Sequence, residues 1–347
     1  MNLHIAVARL TLVLAALLFV LSAWAKPAPG ERPMTLTTAT GTLHGTLWLP
    51  AAAGAKLPLV LIIAGSGPTD RDGNSAGLPG PNHSLKLLAQ ALAEGGWASL
   101  RYDKRGVATS AAAGPREADL RFDTYVQDAA AWLRLLRADD RFGPLVVLGH
   151  SEGSLIAMLA AKEVGVGAGA DGLVSLAGPS AGAASVLRSQ LAGRLPPPLA
   201  ARNESLLLAL ERGETVADVP AELAALYRPS VQPYLISWFR HVPQSVLATL
   251  KLPVLVLQGD TDIQVTVADA QALQRARAGV EISVIEGMNH VLKAVPADLP
   301  SQLASYSNPA LPLAPGLAPR LLQFLAPLAL LTPMTPMTSP TAGPAPR

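Results

Sequence analysis

The feature that most constrains the fold is a series of short, continuously apolar runs, each bounded by Gly, Pro or Asp and separated from the next by a helix-like stretch. Apolar runs of this length are typical of strands that are buried on both faces of a parallel sheet. The amphipathic stretches between them supply helices for those faces. The sequence therefore predicts an α/β fold, with a mostly parallel central sheet and helices on both faces. The predicted strands are residues 59–64, 98–102, 145–149, 172–177, 253–258 and 280–285, and the predicted helices include residues 84–94, 124–137 and 266–277.

Composition limits the class of protein further. Half of the 347 residues are hydrophobic, which is enough for one large domain with a substantial buried core. The net charge is +2 and the Lys and Arg residues are scattered, so no nucleic-acid partner is expected. The chain has no cysteine, which excludes thiolate nucleophiles, disulfide bridges and iron–sulfur ligation. Packing alone must therefore stabilise the fold.

Both terminal segments are predicted to lie outside the folded core. Arg9 precedes an apolar stretch, residues 10–21, and an AxA-like cleavage site ends at Ala25, so residues 1–25 are typical of a secretory signal peptide. The alternative is an uncleaved membrane anchor, but a spanning helix needs about 20 apolar residues. We expect an exported protein, periplasmic or secreted, with no stable membrane span after cleavage. The Pro-rich residues 331–347 predict a disordered tail.

The order of the elements predicts an inserted cap. Two alternating stretches, residues 34–40 and 42–49, are typical of a hairpin at a sheet edge. Roughly seventy residues separate the fourth and fifth apolar runs, and they carry helix-like pieces punctuated by prolines. A structureless loop of that length is implausible, so the segment is predicted as a helical cap over the end of the sheet where substrates bind. The predicted core spans residues 34–178 and 253–330, and the cap spans residues 179–252.

The chemically most informative motif is GxSxG at residues 149–153, directly after an apolar strand and directly before a helix-like run, residues 154–162. Ser151 on such a turn is held in a strained backbone conformation with its Oγ exposed, and the small flanking glycines let adjacent backbone pass close by. The following helix favours negative charge where an oxyanion forms. A glycine-flanked serine can also be an ordinary N-cap. The strand before it and the helix after it favour a catalytic nucleophile.

With this motif in place, the chain resembles the α/β-hydrolase superfamily, and in particular the bacterial serine esterases grouped with serine aminopeptidases and monoacylglycerol lipases. The resemblance spans roughly residues 34–330. Besides GxSxG it rests on GSGPTDRDG at residues 65–73 and RYDKRG at residues 101–106, each after an early apolar strand. It implies an α/β-hydrolase fold with an inserted helical cap, and catalytic residues in the order Ser, acid, His.

The base that activates a serine hydroxyl is usually a histidine, held in the right tautomer by a carboxylate. His290 follows the last apolar strand, in the loop where such a base would reach Ser151. His150 is the neighbour of Ser151, and its side chain is expected to point away from the base. The histidines that lack a strand-end position are expected to be structural, and they are His44, His83 and His241.

Two aspartates compete for the role of the acid. The strand at residues 253–258 leads into a loop that carries both Asp260 and Asp262. The resemblance favours Asp262, because family members typically carry the acid three residues after this glycine and three residues before a valine. Asp260 is expected to cap the turn through its side chain. Either carboxylate could orient the imidazole of His290.

The oxyanion of a tetrahedral intermediate needs preorganised donors, typically the N–H after the nucleophile and one from the loop after an early strand. The backbone N–H groups of Glu152 and Ser66 hold those positions. The carboxylate of Glu152 must then point away from the oxyanion, into the packing behind the turn. Where many relatives carry His and Gly before this loop, the chain has Ala64 and Gly65.

Three aromatic residues of the predicted cap are candidates for lining a substrate pocket, namely Tyr234, Trp238 and Phe239, although residues at this spacing also suit the core of a cap. The charged residues at positions 70–72 and 103–105 are of mixed sign and are expected to pair with each other. The sequence has no motif with metal-ligand spacing and no nucleotide-binding loop, so neither a metal nor another cofactor is expected.

Together these residues predict a serine hydrolase that cleaves small-molecule carboxylic esters through an acyl-enzyme, with Ser151 as nucleophile, His290 as base and Asp262 as acid. An acyltransferase or a peptidase would use the same triad. A non-catalytic binding module is disfavoured, because all three candidates are present in the expected order. Nothing in the sequence specifies the natural substrate, its acyl length or the oligomeric state.

Overall fold

The computed structural model describes residues 30–51, 56–165 and 169–331. The predicted signal peptide and nearly all of the predicted Pro-rich tail lie outside these residues. Within them, one eight-stranded sheet has the strand order β1-β2-β4-β3-β5-β6-β7-β8. Its strands are β1 (Gly30–Thr38), β2 (Gly41–Leu49), β3 (Leu57–Ile63), β4 (Ala98–Tyr102), β5 (Phe142–His150), β6 (Gly172–Leu176), β7 (Val254–Gly259) and β8 (Val280–Ile285).

The sheet is mostly parallel, with antiparallel pairing confined to one edge. β1 and β2 form the predicted hairpin, and β2 pairs antiparallel with β4, whereas β3 to β8 all run parallel to one another. β1 begins four residues before the predicted position and includes Pro33. A proline is tolerated there because β1 is an edge strand, where a missing N–H leaves no ladder bond unmade.

Helices cover both faces of the sheet, which confirms the predicted fold class. They are α1 (Ser84–Glu94), α2 (Phe122–Arg137), α3 (Glu152–Val164), α4 (Ala183–Leu191), α5 (Pro197–Glu211), α6 (Ala224–Tyr227), α7 (Gln232–Phe239), α8 (Pro243–Leu247), α9 (Val267–Ala276), α10 (Leu299–Ser305) and α11 (Leu317–Leu328). None of the helices within the described ranges has both the length and the apolarity that crossing a membrane requires.

The sheet has a hydrophobic core on each face, which explains why apolar and polar residues do not alternate along the central strands. In β5, Leu145 and Val147 join a core with α2, α3 and α9, whereas Val146 and Leu148 join a core with α1 and α11. Successive side chains of a strand point to opposite faces, so a strand covered on both sides must be apolar at every position. This packing places the carboxyl ends of β5, β7 and β8 along the same edge of the sheet, with β6 between β5 and β7.

The chain between β6 and β7 forms helices α4 to α8 over that edge. Several of their side chains share a small hydrophobic cluster of their own, which includes Leu206, Leu210 and Tyr227. The segment is also packed against the core, since the rings of Trp238 and Phe122 are stacked with centroids 5.7 Å apart. We call α4 to α8 the cap, and its helices form one wall of the site described below.

Candidate active site

Ser151 lies on a sharp turn between β5 and α3. It is the single residue between the two elements, and its backbone dihedral angles are φ 55° and ψ −122°. A Cβ atom on Gly149 would lie 2.0 Å from the carbonyl oxygen of Gly153, and one on Gly153 would lie 2.5 Å from that of Ile63. Only glycine fits at these two positions. The turn is thus strained, as the sequence predicts, and the strain is maintained by close backbone packing.

The structure brings Ser151, His290 and Asp262 together in one chain of hydrogen bonds. The Nε2 atom of His290 lies 3.1 Å from the Oγ of Ser151, and its Nδ1 atom lies 2.8 Å from Oδ2 of Asp262. The side chains of His290 and Asp262 are 6% and 0% exposed. This is the arrangement in which a histidine can take the proton of a serine while a carboxylate fixes its tautomer.

The carboxylate of Asp262 is held in place by further donors. Its Oδ1 accepts hydrogen bonds from the backbone N–H groups of Gln264 and Val265, at 2.7 and 3.0 Å, and its Oδ2 accepts one from Gln258. Burial raises the pKa of Asp262, but the charge interaction and hydrogen bond with His290, together with the backbone hydrogen bonds from Val265 and Gln264, outweigh burial and hold the pKa below its ordinary value. Asp262 therefore stays ionised as the partner of His290.

Asp260 has a different position and a different partner. Its Oδ1 accepts a hydrogen bond of 2.7 Å from the backbone N–H of Gly287, in the loop that carries His290. In the same turn, the hydroxyl of Thr261 donates to the carbonyl of Gly287 at 2.9 Å. Asp260 thus stabilises the backbone of the histidine loop and does not contact the imidazole.

His150 does not point away from the base, and that expectation is wrong. Its Nε2 donates to the carbonyl oxygen of His290 at 2.8 Å, and the two rings lie 4.9 Å apart. Burial, together with the nearby His290 ring, lowers the pKa of His150 to about 3. A neutral ring that donates to a carbonyl must carry its proton on Nε2. The end of β5 lies beneath the loop after β8, a tertiary contact that adjacency in sequence does not reveal.

Both proposed oxyanion donors border the same cleft as Ser151. The backbone N–H of Ser66 has no hydrogen-bond partner among the described residues. Glu152 is the first residue of α3, where an N–H group has no intrahelical partner. The carboxylate of Glu152 points into buried packing, as the sequence requires, where it accepts hydrogen bonds from Lys104 at 3.1 Å and from the hydroxyl of Tyr234.

The cleft between the cap and the sheet has a volume of about 680 Å³ and opens onto Ser151. Tyr234 and Trp238 line it, as predicted. Phe239 does not line it, and its side chain packs against the hydrophobic cluster of the cap. Most of the other lining side chains are apolar and come from α4, α7 and the chain after β4; they include Val107, Leu120, Val186, Leu187, Val231 and Leu235.

The acidic side chains that border the cleft are Glu117 and Glu152, and both are paired. Glu117 binds Arg228 and the hydroxyl of Ser230, and these contacts lower its pKa. Glu152 is held by Lys104 and Tyr234. Within the described residues, the cleft therefore offers no unpaired carboxylate to a ligand.

The charged loop residues of the two early motifs pair with each other and with nearby strands. Arg71 contacts Asp103 at 2.7 Å, and Arg101 contacts Asp72 at 2.9 Å. Arg105 contacts Asp128 of α2 at 2.6 Å. The first two pairs fasten the loop after β3 to β4 and to the loop that follows it, and the third fastens that second loop to α2, so both loops are structural supports of the site.

A comparison with protein families agrees with this geometry. The family model described as "Serine aminopeptidase, S33" matches residues 82–294, a range that contains Ser151, Asp262 and His290. The chain belongs to the S33 serine aminopeptidase family. This S33 chain is also 28% identical over 253 residues to the esterase EstD from Thermotoga maritima; the match covers 72% of the chain. The matched region spans about 58% of the length of that curated relative.

Solved structures show the same fold for this S33 protein. Est1E from Butyrivibrio proteoclasticus aligns with a TM-score of 0.55 and 19% identity, over 85% of this chain and 99% of that one. The Pyrococcus furiosus esterase Pf2001 aligns with a TM-score of 0.56 and 16% identity, over 86% and 91% of the two chains. The resemblance to serine α/β-hydrolases that the sequence motifs indicate is therefore confirmed at the level of family and fold.

Sequence reasoning misses the roles of two residues beside the S33 site. One is Lys104, and the other is His150, which supports the loop of His290. The sequence places Lys104 in a charged loop, where pairing with a neighbour is the simplest expectation. Its side chain is in fact 1% exposed and lies behind the nucleophile turn. The only signal in the sequence is that Lys104 comes two residues after the end of a buried strand, at the edge of the sheet where Ser151 also lies.

Proposed function

We propose that this protein is a serine carboxylesterase that works through an acyl-enzyme on Ser151. The observation that carries the proposal is the hydrogen-bonded chain from Ser151 through His290 to the buried carboxylate of Asp262. A serine activated in this way attacks an acyl carbonyl, and the donors at Ser66 and Glu152 are placed to bind the oxygen that becomes negative.

The reaction proceeds in two steps, acylation of Ser151 and hydrolysis of the acyl-enzyme. As Oγ of Ser151 bonds to the ester carbonyl carbon, Nε2 of His290 takes the hydroxyl proton, and Asp262 stabilises the imidazolium through Nδ1. The tetrahedral intermediate breaks its bond to the alcohol oxygen, which leaves with the proton from His290. Water then attacks the acyl-enzyme by the same sequence, releasing the carboxylic acid and restoring the Ser151 hydroxyl.

The lining of the cleft favours a neutral ester over a peptide with a free amino terminus. An aminopeptidase needs a group that binds the substrate ammonium, which is most simply an unpaired carboxylate. Glu117 and Glu152 border the cleft, but Arg228 pairs with the first and Lys104 with the second. The apolar side chains that remain suit an acyl or alcohol group of an ester. The name of the T. maritima relative supports an esterase as well.

The experiment that tests this function compares substrates and one variant. The purified protein is expected to hydrolyse short p-nitrophenyl esters far faster than aminoacyl p-nitroanilides. Ser151→Ala should lower ester kcat by at least about 10³-fold, because the nucleophile is lost. A fluorophosphonate should label the wild type at Ser151 and leave the variant unlabelled, as read by peptide mass spectrometry. Full activity in Ser151→Ala, or a preference for the anilides, would contradict the proposal.

We also propose that the enzyme is exported with residues 1–25 as its cleaved signal. The support is the pattern of Arg9, the apolar stretch and the small residues that end at Ala25. Amino-terminal sequencing of the protein recovered outside the cytoplasm should begin at Lys26. A chain that remains in the cytoplasm with its first 25 residues intact would contradict export.

A further inference from the structure

Lys104 places a cation in a buried position next to the nucleophile turn. It lies just after β4, its side chain is 1% exposed, and its Nζ atom lies 5.2 Å from the centre of the Tyr125 ring. Burying a charge is costly, and replacing a buried ion pair by apolar side chains of similar size is often neutral or stabilising. Stability alone therefore gives little reason for a lysine at this position, which makes its contacts informative.

The first contact is with the loop that carries an oxyanion donor. The Nζ atom of Lys104 donates to the carbonyl oxygen of Gly65 at 2.5 Å. That carbonyl and the N–H of Ser66 belong to one planar trans peptide group, so they point in opposite directions. Because Lys104 holds the carbonyl on its own side, the N–H of Ser66 is turned the other way, and Ser66 borders the cleft.

The second contact is with the residue that supplies the other oxyanion donor. The Nζ atom of Lys104 lies 3.1 Å from Oε2 of Glu152, whose side chain is also 1% exposed. An unpaired carboxylate at this place would oppose the negative charge that forms at the neighbouring oxyanion, strongly so in a buried site. The cation of Lys104 offsets it, and the hydroxyl of Tyr234 in the cap donates to the other carboxylate oxygen.

We propose that Lys104 is a positioning residue for the oxyanion hole. It fixes the direction of the Gly65–Ser66 peptide and neutralises Glu152, so that both backbone donors act on the oxyanion without an opposing charge. It does not contact the substrate or the triad. The proposal rests on the esterase function given above, and it assigns a role to a charged motif residue that the hydrolytic mechanism leaves unused.

The test measures the effect of Lys104 on the transition state separately from any effect on substrate binding. Lys104→Met alone leaves a buried unpaired carboxylate and can fail to fold, so the deciding comparison is Glu152→Gln against the double variant Lys104→Met/Glu152→Gln. The double variant should show a kcat roughly 10- to 100-fold below that of Glu152→Gln, because a donor displaced by a fraction of an ångström loses most of its effect. KM for p-nitrophenyl butyrate should stay within about threefold.

Two inhibitors provide a readout that a purely structural role would not change. The affinity for an alkyl boronic acid, which forms a tetrahedral adduct on Ser151, should fall in proportion to kcat. The affinity for the matching N-alkyl amide, a mimic of the bound ester, should remain unchanged. Equal kcat in the two variants, or a loss of kcat without a loss of boronic acid affinity, would overturn the proposal.

Arg137→Met is the matched control. Arg137 also binds a backbone carbonyl and a carboxylate, those of Gly169 and Asp171, but it does so at the opposite end of the sheet, before β6. The Arg137→Met substitution should lower thermal stability and leave kcat unchanged. A fall in kcat in Arg137→Met equal to that in the double variant would also overturn the proposal. Absence of ester hydrolysis in the wild type would instead contradict the proposed function itself, so the two failures are distinguishable.

Discussion

The two aspartates after β7 make different contacts and therefore have different roles in the site. Asp262 is buried against His290 and collects hydrogen bonds from Gln264 and Val265. The carboxylate of Asp260, two residues earlier, accepts a hydrogen bond from the backbone N–H of Gly287 instead. One carboxylate thus orients the imidazole, and the other fixes the loop that carries it.

This division predicts different consequences for two matched substitutions. Asp262→Asn should lower kcat by about 10³- to 10⁴-fold, because an amide at this position favours the wrong tautomer of His290. Asp260→Asn should cost less than about 10-fold, since the amide oxygen still accepts from Gly287. Steady-state hydrolysis of p-nitrophenyl butyrate by both variants measures the difference. A larger loss in Asp260→Asn would transfer the role of the acid.

The sequence predicts the members of this site more fully than their contacts. Ser151 is identified from its motif, because the strained turn demands glycines at fixed spacing. His290 follows from the order of strands, since it comes after a parallel strand that ends at the same edge. The same order leaves Asp260 and Asp262 both open, and only the resemblance to the family favours Asp262. The contact of His150 with His290 could not be predicted, because it depends on how far β5 and the loop after β8 reach over that edge.

At the scale of elements, the β5–α3 turn joins a strand and a helix that are both buried. The strand extends from Phe142, three residues earlier than predicted, and includes Pro144. The pairing register between β3 and β5 shifts between Leu57 and Leu59, opposite that proline. A bulge of this kind accommodates a residue that has no N–H, which explains why the proline does not end the strand.

Glycines at the two ends of β5 provide a prediction at this scale. Gly149→Ala should destabilise the protein by about 3 kcal/mol or more, because its Cβ would overlap the backbone of Gly153 and rigid backbone cannot yield. Gly143→Ala in the same strand should cost less than about 1 kcal/mol, since its nearest neighbour lies at an ordinary 3.4 Å. Urea unfolding followed by circular dichroism measures both. Equal stability of the two variants would refute the steric argument.

For the whole molecule, the site depends on four separate parts of the chain meeting at one edge of the sheet. The turn after β5 carries the proposed nucleophile, the loops after β7 and β8 carry the proposed acid and base, and the cap encloses the cleft. The hydrogen bond from Tyr234 to Glu152 joins the cap directly to the turn between β5 and α3. This contact ties a side chain that lines the cleft to the residue that carries one of the proposed oxyanion donors.

Global stability should also depend on pH through His150. Its pKa of about 3 in the folded protein lies below the ordinary 6.5, so the unfolded chain binds a proton over a range where the folded one does not. The contribution of His150 to the free energy of unfolding is then complete above pH 6.5 and is lost as the pH falls towards 3. Between pH 7 and pH 5 the loss amounts to about 2 kcal/mol.

The variant that removes this effect is His150→Gln, whose amide keeps a donor for the carbonyl of His290 but does not titrate. Its free energy of unfolding should fall by about 2 kcal/mol less than that of the wild type between pH 7 and pH 5. Urea unfolding at the two pH values measures this difference. An identical pH dependence in the two proteins would show that His150 is not the group responsible.

The sequence by itself determined the parallel sheet and its two helical layers, and it singled out Ser151 as the proposed nucleophile. Those features follow from local rules, because a strand buried on both faces must be apolar throughout and a strained turn needs glycines at fixed positions. Only the tertiary structure decided that Phe239 packs within the cap, that His150 supports the histidine loop and that Lys104 holds Gly65 and Glu152. Such contacts join residues far apart in the chain, and they arise from how whole elements pack rather than from any local pattern.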